Sequence, residues 1–84
     1  MEFSQHAIKK LNDLGLTKSD VEYSINLPVY ELIDMELNSE VIITNIKHST
    51  CAVVLNETGS VITVYKTELK TVENRIESGR WKCK

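Results

Sequence analysis

The chain has 84 residues, a formal net charge of −2 and 42% apolar content, which allows one small hydrophobic core and excludes a second. That apolar fraction belongs to globular rather than disordered chains. No apolar run approaches the ~18 residues of a membrane span and no signal-type hydrophobic region follows Met1, so a cytoplasmic protein without membrane contact is expected.

Ser4 is a good N-cap, and Ala7, Ile8, Leu11 and Leu14 after it form one apolar stripe at helical spacing. Gly15 supplies the left-handed residue that ends such a helix. Thr17, with Asp20 three residues on, opens a second helix whose buried face is Val21 and Ile25. Asn26-Leu27-Pro28 stops it, because proline disfavours helix in the residue before it. Residues 1–27 therefore read as an αα-hairpin.

After Pro28 the pattern changes to short runs rich in β-branched residues: 29–34, 41–44, 50–55 and 61–65. Turn-forming clusters separate them, at 37–39, 47–49 and 56–59, the last with glycine available for a positive φ. Residues 28–67 read as a four-stranded antiparallel meander. Glu68 to Ser78 returns to helical spacing through Leu69, Val72 and Ile76, and Gly79 ends it. Residues 68–84 are thus a C-terminal helix followed by a basic tail, Arg80-Trp81-Lys82-Cys83-Lys84. The expected fold is α+β in a single domain over 1–84, with two N-terminal helices, a four-stranded antiparallel sheet and a C-terminal helix, the helices on one sheet face.

Charge is unevenly distributed. Residues 1–40 hold eight acids against three lysines, and residues 66–84 hold six bases against three acids. A basic end can present a local positive face despite the overall sign, although a solvated helix of mixed charge reads the same way. Cys51 falls in a strand-like run and reads as a small buried hydrophobe, while Cys83 lies in the tail. The two histidines are far apart and no Cys-x-x-Cys occurs, so neither metal nor cofactor is expected. His48, between Lys47 and Ser49, reads as exposed loop.

The order His6-Ala7, Lys10, Leu11, Gly15-Leu16-Thr17, Asp20-Val21 and then Val61-Ile62-Thr63-Val64-Tyr65 resembles a small bacterial and phage domain family of unknown function. That family is grouped with the barnase–EndoU–colicin–RelE-like ribonuclease fold. The resemblance covers roughly residues 3–67, and the closing Arg75…Gly79-Arg80-Trp81 is similar to tails of phage-borne members. The family pattern usually has arginine where this chain has Lys10, and another where it has Leu14. The first change keeps the charge but loses the bidentate fork suited to phosphate; the second removes a cation.

The resemblance implies a small metal-independent ribonuclease, a toxin-like hydrolase acting on tRNA or mRNA. Such chemistry needs a base for the ribose 2′-hydroxyl, an acid for the leaving oxygen and donors at the phosphate. His6 is the candidate base or acid, and Lys10, one helical turn away, the candidate phosphate cation. Thr63 and Tyr65, alternating with Ile62 and Val64, are expected on one sheet face, where the catalytic set would include them. Lys66, Arg75 and Arg80 are candidate RNA-binding cations. Trp81 is either a base-stacking platform or a lid over the sheet. The alternative is a non-catalytic interaction protein on the same fold, such as a phage-encoded inhibitor or a regulator binding a host or antitoxin protein. Acidic front residues, the missing cations and low overall charge motivate it. Unpaired sheet edges would also permit a homodimer.

Overall fold

A computed structural model describes all 84 residues. Helices α1 (Gln5–Leu14) and α2 (Lys18–Ser24) precede strands β1 (Tyr30–Asp34), β2 (Ser39–Ile46), β3 (Ser49–Leu55) and β4 (Val61–Lys66), then helix α3 (Leu69–Glu77) and strand β5 (Trp81–Cys83). No helix is long and apolar enough to cross a membrane.

Local chemistry explains the helix ends. The Ser4 hydroxyl accepts a hydrogen bond from the Ala7 N–H at 3.0 Å and itself donates to the Ile62 carbonyl at 3.2 Å, so one side chain caps α1 and fastens it to β4. Gly15, at φ 70°, closes α1 in the left-handed region. Thr17 and Asp20 form a reciprocal capping box at the start of α2. The buried Thr44 hydroxyl donates to the Ser24 and Leu27 carbonyls at 2.6 and 3.2 Å, satisfying acceptors at the end of α2.

The sheet is antiparallel with strand order β4-β3-β2-β1-β5. The meander was legible, but the sheet has five strands rather than four. Trp81–Cys83 is not a loose tail: Asp34 pairs with Trp81 and Leu32 with Cys83. To reach that edge, α3 crosses from β4 over the sheet to β1.

Strand alternation divides the core in two. Ile42, Ile46, Cys51, Val53, Val61 and Val64 pack with Ala7, Leu11, Leu16 and Val21 of the helical hairpin. Leu32, Val41, Ile43, Ala52 and Val54 point to the other face and pack with Val72 of α3 and Trp81. The helices therefore lie on both faces, not on one. The physical reason is that β2 and β3 are apolar on both sides, and each face must be covered.

Two irregularities matter. A register shift at Val54/Leu55 places Val61 in the α1–α2 core and Ile62 with Tyr65 in the α3 core, so Ile62 does not share the face of Val64 as simple alternation would have it. The β2–β3 turn is Lys47-His48, both with positive φ, 49° and 68°, the geometry of a two-residue hairpin that favours glycine. The sheet edges are modest. Glu2 to Ser4 pairs with Val61 at one edge, through the Ser4 N–H to the Val61 carbonyl and the Val61 N–H to the Glu2 carbonyl. The other edge is the three-residue β5, which carries Lys82.

His48 is exposed and forced into the left-handed region. His48→Gly is expected to stabilise the protein by about 0.5–1 kcal/mol, read as a higher midpoint in urea unfolding with an unchanged slope.

Candidate functional site

A cleft of about 710 Å³ opens on the α3 face, at the end of the sheet that carries the β1–β2 and β3–β4 turns. Its floor is Val41, Val54 and Ile62; its walls include Asn38, Asn56, Thr58, Thr63, Tyr65, Arg75 and Arg80. The cleft exists because α3 has only nine residues and covers part of that face, leaving the turn end open.

Asp34 builds one wall. Its Oδ1 accepts from the Glu36 and Leu37 backbone N–H groups at 2.9 and 3.0 Å and from Arg80 Nε at 3.1 Å. Its Oδ2 accepts from the Trp81 indole N–H at 3.1 Å. Arg80 also reaches Glu36 at 3.3 Å. Burial alone pushes the Asp34 carboxyl upward, but the donors from Arg80, Leu37, Trp81 and Glu36 outweigh it and hold the pKa at about 2. The opposite wall is set by Asn56, whose side-chain oxygen accepts from the Thr58 and Ser60 N–H groups at 3.1 and 3.0 Å and from the Thr58 hydroxyl at 2.8 Å. Gly59, at φ 83°, lets that turn close.

Arg75, in the last turn of α3, lies over the Trp81 ring with 5.1 Å to the centroid. Tyr65 is half-buried on the wall near it. Burial pushes its phenol pKa up; Arg75 and Arg80 oppose that and Asp34 adds to it. The phenol is therefore an O–H donor at neutral pH. Ser39, across the β1–β2 ladder from Asp34, is buried beneath the cleft and its hydroxyl has no partner.

The structure brings together Thr63, Tyr65, Arg75, Arg80 and Trp81 around this cleft. It does not bring His6 and Lys10 there. Helix α1 buries its stripe against Val61 and Val64 on the opposite face, so the sheet separates the imidazole from the hydroxyls of β4. His6 is exposed. Lys66 sits at the far end of β4, beside Ser49, Thr50, Thr67 and Glu68. Trp81 is 2% exposed and acts as the lid over the sheet, not as an accessible stacking platform. Cys51 is buried beneath the helical hairpin, and burial raises its thiol pKa. Asp34, Asn56 and Ser39 were not singled out from sequence. In the sequence Asp34 closes a strand-like run and Ser39 and Asn56 fall in turn-forming clusters, which marks none of them as part of a site. No family model, curated protein or solved structure matches the chain.

The folded pKa of Asp34 lies below its ordinary value of 3.8. The stability it contributes is therefore complete above that pH and is lost as pH falls through about 2. Urea unfolding at a series of pH values should show about 2 kcal/mol disappearing across this window. Asp34→Asn should be less stable than wild type at pH 7, with the difference shrinking towards pH 2. A constant difference across the series would contradict that assignment.

Proposed function

We propose that this protein is a non-catalytic binding module, an interaction or regulatory domain, whose ligand occupies the α3-side cleft. One observation carries the reading: the five-stranded sheet lies between His6 with Lys10 and Thr63 with Tyr65. A general acid and base must lie within hydrogen-bond reach of the same reacting group. These two sets face opposite sides of the molecule.

Three further features support it. The cleft is lined by no histidine, cysteine or lysine. Two of its ionisable groups are driven away from neutrality in opposite directions, the Asp34 carboxyl down and the Tyr65 phenol up, whereas proton transfer is best served by a group near the operating pH. The cations do not form a continuous track for a polyanion. Arg80 is engaged by Asp34 and Glu36, and Lys66 is at the other end of its strand. A cleft with an apolar floor, fixed walls and a few converging polar groups has instead the character of a ligand site.

A ribonuclease would cleave RNA, whereas the binding module would not. Purified protein incubated with tRNA and mRNA pools, with and without added Mg²⁺, should leave the RNA intact, and His6→Ala should match wild type in melting temperature and RNA integrity. Cleavage by wild-type protein that disappears in His6→Ala would overturn the binding-module reading.

A further inference from the structure

The two guanidinium groups of the cleft differ in kind. Arg80 is committed to Asp34 and Glu36. Arg75 has no carboxylate partner and lies over the Trp81 ring, 5.1 Å from the centroid. That ring is buried and its indole N–H is held by Asp34, so Arg75 rests on a fixed platform and does not sweep through solvent. With no carboxylate on it, the guanidinium keeps N–H donors for an anion. Ser39, nine-tenths buried, lines the same cleft, and its hydroxyl has no hydrogen-bond partner within the protein. Buried hydroxyls in folded proteins are normally satisfied.

From this arrangement we infer that the cleft is a receptor for a small organic acid, one carboxylate meeting Arg75 and an apolar body covering Val41, Val54 and Ile62. This inference rests on the binding-module reading and names its ligand. Charge selects the class. Four charged side chains line the cleft, Asp34, Glu57, Arg75 and Arg80; Arg80 is held by Asp34 and Glu36, which leaves Arg75 as the one free cation, enough for a monoanion, with Glu57 as the free carboxylate of the other wall. A dianionic phosphate or a nucleic-acid backbone would place surplus charge beside Glu57 and Asp34. The Tyr65 O–H, beside Arg75, is a second donor for the carboxylate. Volume agrees: about 710 Å³ is in the usual range for clefts that take small organic ligands.

The test uses the full chain labelled with ¹⁵N, observing the Trp81 indole N–H and the Arg75 Nε–H resonances. The probes are 3-phenylpropionate, its neutral amide, phenyl phosphate, and the peptide Gly-Gly-Phe with a free or an amidated C-terminus. Saturable shifts of both resonances are expected with 3-phenylpropionate, and binding of the amide should be about tenfold weaker or worse. Arg75→Gln should erase the preference for acid over amide while leaving the dispersion of the remaining resonances intact, with a melting temperature lowered only by the lost contact with Trp81. Arg75→Lys, with charge but no fork, should fall between them. The proposal is overturned if no probe saturates, if the amide binds as tightly as the acid, or if phenyl phosphate binds more tightly. A free-terminus peptide about tenfold tighter than 3-phenylpropionate would reassign the site to protein C-termini and overturn it too. Equal binding of acid and amide removes only the ligand class, whereas RNA cleavage lost in His6→Ala removes the binding module itself.

Discussion

The carboxylate of Asp34 joins parts of the chain that nothing local would bring together. It sits at the last residue of β1 and accepts hydrogen bonds from the turn that follows, from Arg80 and from Trp81. Those last two partners lie 46 and 47 residues away in sequence. Each bond fixes something different: the backbone donors shape the β1–β2 turn, Arg80 ties the end of α3 to that turn, and the indole N–H sets the plane of the Trp81 ring. Trp81 then starts β5, whose pairing with β1 completes the sheet. A buried carboxylate is costly unless its lone pairs are met, and here four donors meet them.

From that clamp follows the division of labour between the two faces. The helical hairpin covers one face over β2, β3 and β4, presenting Ala7, Leu11, Leu16 and Val21 to those strands, and leaves Ile33 of β1 exposed. The other face has only α3 and the Trp81 ring, with Val72 as the buried residue of that helix. One short helix cannot cover a five-stranded sheet. The uncovered end is bounded by two turns, each stiffened by a side chain accepting its own backbone N–H groups, Asp34 in one and Asn56 in the other. Concavity, rigid walls and an apolar floor thus arise from the same shortage of helix.

Much of this was legible in the sequence, for reasons that are local. Ser4, Gly15, Thr17 and Asp20 mark helix ends through bonds spanning three or four residues, and all four act as their types predict. The β-branched runs and the turn at Gly59 likewise declare themselves over short windows. Trp81-Lys82-Cys83 did not. Three residues flanked by lysine and arginine read as a charged tail, and only pairing with β1 makes them a strand. Asp34 is one acid among twelve Asp and Glu, with nothing in its neighbours to forecast Trp81 as a partner. The expected meeting of His6 with Thr63 and Tyr65 failed for a related reason: alternation says that Thr63 and Tyr65 share a face, but not which face α1 will choose. Val61 and Val64 decide it, aided by the irregularity that turns Ile62 the other way.

What distinguishes the cleft from a surface depression is the order in which its parts are held. Asp34 fixes Trp81, Trp81 supports Arg75, and Arg75 faces solvent without a carboxylate to neutralise it. A flexible arginine loses side-chain freedom when it binds an anion, and that loss subtracts from affinity. An arginine already resting on a pinned ring has lost much of it on folding. Arg80 serves the opposite purpose, since its charge is consumed by Asp34 and Glu36 and stabilises the turn. Two arginines five residues apart in a basic segment therefore cannot be treated as one positive patch: the first is preorganised for a ligand, and the second is part of the frame that makes such preorganisation possible.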